Sequence, residues 1–189
     1  MQRRAGGHPE PEGHRRRQGC PVRPRRPVLT EFVRYPDARL SQPAVLTDAV
    51  DNELRAVGLR LLAAAQEAKA YGLAAIHIGE VAPVVVVSPD GEDHQLMFNP
   101  QIVAVAADLV KGEEGSVSLP GVRLDIDRPV WAEIAFDDAA GAAKKVRFDG
   151  FVARVVLHEI EQMQGIFFLE KVSRLKRDRA LKKARKLAG

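Results

Sequence analysis

An α+β domain is what this sequence predicts, and three observations predict it. Apolar and β-branched runs bounded by Gly, Pro and Asp turn signals follow one another from Pro83 to Phe148, at lengths that suit antiparallel strands. Two helical periodicities flank that region instead of alternating with it, which keeps the helices and strands in separate layers. The second periodicity is apolar along Val152, Val155, Val156 and Ile160 yet carries His158 and Glu159, so a buried helix brings ionisable groups into the interior. With 189 residues, 46% of them hydrophobic, the chain can build one good core, and a single domain with tails is expected.

Charge is distributed unevenly. Residues 1–34 hold nine Arg against three Glu, residues 35–170 eleven basic against twenty-one acidic, and residues 171–189 nine basic against one acidic, which gives +6, −10 and +8. An acidic body between basic tails favours a polyanionic partner such as an RNA-rich particle. Cys20 is the only cysteine, so no intrachain disulfide can form and the body has no thiolate to offer a metal. No apolar run approaches the roughly 20 residues of a membrane span, and the N-terminus shows no secretory apolar region. A cytoplasmic location is expected.

Residues 1–27, dominated by Arg, Pro and Gly, read as a disordered basic arm, fitted to RNA or reflecting a translation start placed upstream. A folded domain over 28–172 and a basic helix over 173–189 follow. Tyr35-Pro36-Asp37 signals a turn and Pro43 an extended segment. Asp48 or Asp51 can cap the first helix, whose stripe of Leu54, Val57, Leu61, Ala65 and Ala68 ends at Tyr71-Gly72. Pro83–Val87 reads as a buried strand, Asp90-Gly91 as a turn, and Leu96–Phe98 and Ile102–Ala106 as two further strands. Residues 113–121 read as a polar segment closed by a Pro120-Gly121 turn. Strands over 130–136 and 142–148 are joined by the loop 137–141. The central helix starts after Asp149-Gly150 and stops at Gly165, with Glu161 facing solvent. Ser173 can cap a final helix in which Leu175, Ala180 and Leu181 are outnumbered by Lys and Arg.

On the central helix, residues four apart share a face, so His158 and Gln162 point the same way with Glu159 beside them. A hydrolytic metal helix would carry His-Glu-x-x-His, and here the second imidazole is missing. Two other segments hold unusual residues, Gly72-Leu73-Ala74-Ala75-Ile76-His77-Ile78-Gly79 and Glu114-Gly115-Ser116-Val117-Ser118. Together and in this order the three segments resemble the motifs of the peptide deformylase family, G-x-G-L-A-A-x-Q, E-G-C-L-S and H-E-x-x-H. The resemblance runs from about Phe32 to the C-terminus and takes in Tyr35–Leu40, Phe98-Asn99-Pro100, Arg128-Pro129, Gly165–Phe168 and Ser173–Arg177.

That resemblance implies an α+β fold in which antiparallel strands surround the metal helix. It implies a ferrous ion, with zinc, nickel or cobalt as substitutes, and removal of the formyl group from the N-terminal methionine of nascent chains. Carried over residue by residue, a metal ligand falls on His158 and the catalytic acid/base on Glu159. The cysteine ligand falls on Ser116, the second metal His on Gln162, and the Gln that donates to the oxyanion on His77. The backbone N–H that would hold the formyl oxygen falls on Val117. Gly72, Leu73 and Val155 are candidate substrate contacts, and Arg123, just after the Ser116 motif, either contacts peptide or is a solvated strand-end arginine.

Three of these positions are altered, with physical consequences. A serine alcohol stays protonated near neutrality where a thiolate would bind, and a Gln oxygen is neutral and hard, suited to calcium or magnesium more than to iron or zinc. The losses weaken the metal site. Alternatively, His77 and His158 form a two-imidazole site completed by Glu113, Glu114 or water, or His77 simply hydrogen-bonds Gln162. The expected function is a deformylase-like metallohydrolase with an altered or weakened metal site, or else an inactive homologue that binds peptide N-termini or the ribosome. The expected partners are formylated or free N-termini of nascent peptides, with the ribosome engaged through the basic C-terminal helix; neither a membrane nor DNA is implied.

Overall fold

A computed structural model describes residues 30–188, and the basic arm expected over 1–27 lies outside them. At its centre is β2 (Val84–Val87), four valines each no more than 1% exposed. Successive strand side chains face opposite ways, so Val84 and Val86 join one apolar cluster and Val85 and Val87 the other. Burial on both faces is why this stretch is uniformly apolar instead of alternating.

The helix α1 (Asn52–Ala68) covers the first face. Asp51 caps it by accepting the Leu54 N–H at 2.7 Å, and Leu54, Leu61, Ala64 and Ala65 pack on Val84, Val86 and Phe98. It ends at Lys69 in left-handed conformation, a few residues earlier than Tyr71-Gly72; Gly72 instead opens β1 (Gly72–Ala74). The helix α2 (Gly150–Met163) covers the second face with Ala153, Val156, Leu157 and Ile160. It terminates as the sequence predicts, at Gly165 with φ 81°, where a Cβ would sit 2.7 Å from the Ser41 carbonyl oxygen.

The sheet between them is antiparallel, in the order β1-β2-β3-β6-β7, with β3 spanning Gln95–Val105, β6 Trp131–Asp137 and β7 Ala143–Asp149. The two strands expected over 96–98 and 102–106 are one. Pairing of β3 with β6 shifts register between Phe98 and Gln101, and Asn99 adopts φ 50° there, so Pro100 sits at a bulge that bends the strand without ending it. The Asn99 side chain fixes the bend by accepting the Thr47 N–H at 2.9 Å and donating to Asp137 at 2.9 Å.

The polar stretch over 113–121 is also a correction. It belongs to a two-stranded hairpin, β4 (Leu109–Ser116) and β5 (Leu119–Pro129), whose turn is Val117-Ser118; Pro120-Gly121 lies inside β5, where Gly121 takes φ 76°. The final helix α3 (Arg174–Ala188) follows Ser173, which accepts the Lys176 N–H at 3.4 Å. It lays Ala180, Leu181 and Ala184 on the domain near β5 and keeps Lys182, Lys183, Arg185 and Lys186 exposed. Among the described residues no helix is long and apolar enough to cross a membrane.

Candidate functional site

Between β1, α2 and the β4–β5 hairpin lies a cleft of about 380 Å³. Gly72, Leu73, His77, Ser116, Val117, Arg123, Val155, His158 and Glu159 all line it, so chain segments more than eighty residues apart converge there. Gly72 permits the convergence. A Cβ there would come within 2.6 Å of Val155 Cγ1 and 2.8 Å of Glu159 Oε1, so only a bare backbone can pass over the helix at that point.

The hairpin wall is tied to α2 by charge. Arg128 on β5 and Glu114 on β4 form a two-pronged pair at 2.8 and 3.0 Å, with both side chains almost fully buried. Arg154, four residues before His158 on α2, donates to Glu114 at 2.8 Å and to the carbonyls of Ile126 at 2.8 Å and Val110 at 2.6 Å. A Cβ on Gly112 would meet the Arg154 guanidinium at 2.8 Å, so that glycine admits the cross-link. The remaining bond of Glu114 goes to His158 Nδ1 at 2.8 Å, which fixes the ring from behind. Burial alone would raise the Glu114 carboxyl, but bonds from His158 and Arg128 override it and bring it to about 2. Burial also works against protonation of His158, but the bond to Glu114 and the nearby Glu159 win, and its imidazole is raised above the ordinary value. Glu161, expected to face solvent, instead pairs with Arg128 at 2.6 Å and Lys171 at 2.8 Å and joins the same network.

His77 sits on the single helical turn Ala75–Ile78, 1% exposed. Burial, with the charge of His158 beside it, depresses its imidazole to about 3, so it is neutral near pH 7 and its 3.7 Å contact with Glu159 is not an ion pair. Its Nδ1 lies 3.0 Å from the Ala74 N–H and 3.2 Å from the Ala74 carbonyl; its Nε2 lies 3.4 Å from Ser116 Oγ. Burial pushes the Glu159 carboxyl up to about 7, and Oε2 of that group has no hydrogen-bond partner.

Gln162 behaves differently from its expected role. Its amide nitrogen donates to the Leu40 carbonyl at 2.9 Å, its Oε1 is buried without a partner, and it does not line the cleft. It makes no bond to His77. Neither Glu114 nor Glu113 completes a two-imidazole site with His77 and His158: Glu114 is committed to its arginines and His158, and Glu113 lies on the surface 4.0 Å from Arg123. Among the described residues no group of three or more His, Cys, Asp or Glu side chains is placed to hold a metal ion. What remains at the implied ligand positions is one imidazole, one alcohol and one neutral amide oxygen, a donor set that does not fit iron(II), zinc or nickel.

Arg154 is the site residue that the sequence analysis passed over, and its signal was present. An arginine on a buried helix, one turn before His158, needs an anionic partner inside the fold.

Residues 29–178 match the family described as polypeptide deformylase. The chain is 37% identical over 162 residues to a peptide deformylase-like protein of Bradyrhizobium diazoefficiens, covering 85% of this chain and 95% of that protein. It is 33% identical over 164 residues to a peptide deformylase of Mesorhizobium japonicum, covering 85% and 93%. The fold is similar to the crystal structure of peptide deformylase from Ehrlichia chaffeensis, with a TM-score of 0.79 at 28% identity over 85% of this chain and 97% of that one. By sequence and by fold, this chain belongs to the polypeptide deformylase family.

Proposed function

We propose that this cytoplasmic chain uses the deformylase cleft to receive the N-terminal residue of nascent polypeptides, formylated or free, and that metal-dependent removal of the formyl group is strongly weakened in it. The observation that supports this reading is the split between the two halves of the site. The substrate-side features implied by the family are gathered in the cleft: Gly72 and Leu73 on one wall, Val117 on the other, Val155 and Glu159 on the floor. On the ligand side Ser116 and His158 also line the cleft, but Ser116 has an alcohol where a thiolate is needed and Gln162 is turned to Leu40. Loss of an outer-shell partner alone costs about 10–100-fold in metal affinity, and replacing two direct ligands costs more. Iron(II), zinc or nickel is therefore held weakly at His158. Glu159, whose Oε2 is short of a hydrogen-bond partner, suits capture of a peptide α-amino group. In this reading the basic face of α3 brings the cleft to the ribosome.

The test restores the ligands. The variant Ser116→Cys, Gln162→His, His77→Gln is expected to gain metal to near stoichiometry and to hydrolyse a formyl-methionyl peptide more than about 100-fold faster than the parent, while both bind the peptide in calorimetry. A parent that already holds metal stoichiometrically and hydrolyses the peptide as fast as the restored variant overturns the reading.

A further inference from the structure

We propose that a groove between β5 and α3 continues the cleft and selects peptides that carry acidic residues shortly after the N-terminal one. The groove, of about 260 Å³, has a floor of Val122, Leu124 and Ala180 and a rim of Arg123, Lys176, Arg179 and Lys183. Val122 and Arg123 also line the cleft, so the two cavities share a wall. A peptide that leaves the cleft over this wall passes between the cations. The proposal rests on the reading of the cleft as the seat of a peptide N-terminus, and adds which peptides it favours.

Helical geometry explains why the cations collect here. Lys176, Arg179 and Lys183 are three and four residues apart, so they form one stripe along α3. The stripe flanks Ala180, which is 6% exposed against the domain, whereas Lys182 and Arg185 project from the far side of the helix. Among the described residues no carboxylate lines the groove. Asp178, the only acid on α3, stands 3.9 Å from Arg174, and Glu113 reaches Arg123 only at 4.0 Å with both side chains largely exposed. Like charges at these spacings repel one another along a helix, and an anion in the groove relieves that repulsion.

The shape of the groove favours peptide carboxylates over an RNA backbone. An extended peptide turns successive side chains to opposite sides, so acidic ones can meet the rim while the residues between them cover the apolar floor. Arginine forks on the rim suit carboxylates in particular, which accept two parallel hydrogen bonds from one guanidinium.

The experiment measures binding to the full chain by calorimetry, with a chelator present so that the probes stay intact. The probes are formyl-Met-Ala-Asp-Asp-Asp-Asp and formyl-Met-Ala-Lys-Lys-Lys-Lys, both amidated at the C-terminus. At about 0.15 M salt, where screening over about 8 Å leaves the local charges in control, the acidic probe should bind roughly 10-fold tighter through several exposed pairs of modest strength. The difference should disappear near about 1 M salt. Lys176→Glu combined with Arg179→Glu should invert the preference, an outcome that loss of the fold cannot produce. Both probes bound alike, or a preference that the double variant keeps, overturns the proposal and leaves the reading of the cleft standing. Neither probe bound removes the reading of the cleft and the proposal with it. An acidic probe that binds equally well without its formyl-Met-Ala shows a groove independent of the cleft and overturns the continuation. Oligouridylate binding that the double variant loses, with the two peptides bound alike, assigns the groove to RNA instead.

Discussion

Replacing Glu114 by Gln is the sharpest probe of how this cleft is held. The carboxylate receives bonds from Arg128, Arg154 and His158, and all four side chains are less than a tenth exposed. Removing one member of a buried charge network costs about 3–5 kcal/mol. The lower end applies here, because Arg128 keeps Glu161 at 2.6 Å and Arg154 keeps three backbone carbonyls. A second route gives a similar figure. A carboxyl brought from 4.5 to about 2 by folding corresponds to about 3 kcal/mol. Since the folded-state value lies below the unfolded one, this stability is present above pH 4.5 and is lost as pH falls through 2. For a chain of this size, about 3 kcal/mol lowers Tm by roughly 6–12 °C. Urea unfolding at pH 7 should show the midpoint shift with an unchanged m value. A loss under about 1 kcal/mol would refute the argument, because it would mean that the pairing energy only offsets the desolvation of the four groups. An undiminished loss at pH 2 would refute it too.

Two other outcomes follow from features already described. Glu159 has the opposite sign to Glu114: its folded-state value is raised to about 7, so its ionisation destabilises the fold progressively as pH rises from 4.5. Glu159→Gln should therefore stabilise by up to about 3 kcal/mol at pH 8, with the gain vanishing toward pH 4.5 in thermal melts; a gain independent of pH would show that burial does not set the group. On α3, reversing Lys182, Lys183 and Lys186 to Glu should abolish co-sedimentation with ribosomes at low salt, and raising salt should release the parent; cosedimentation unaffected by either change would remove docking through this helix.

Much of the fold was legible because the signals were local. The Asp51 cap, the Gly165 stop, the buried valines of β2 and the Ser173 cap each depend on a few neighbouring residues. What was not legible depended on contacts distant in sequence. Pro100 looks like a strand breaker until Asn99 is seen anchored to Thr47 and Asp137. Glu161 looks exposed by helical position until Arg128 arrives from β5. The convergence of the three motifs could be anticipated from family resemblance, but the turning of Gln162 toward Leu40, 122 residues earlier, could not.

The hairpin β4–β5 is two strands wide, and a ribbon of that width is marginal on its own in water. Here the residues that aim His158 are the same ones that clamp the ribbon to the helix, so the frame of the cleft answers to folding as well as to chemistry. Ser116, Gln162 and His77 take no part in that clamp. Serine for a thiol, an amide for an imidazole and an imidazole for an amide exchange groups of comparable bulk inside walls whose shape is fixed from outside. A protein built this way can change the reaction at its heart while its architecture stays in place, because the parts that would collapse and the parts that would react are different residues.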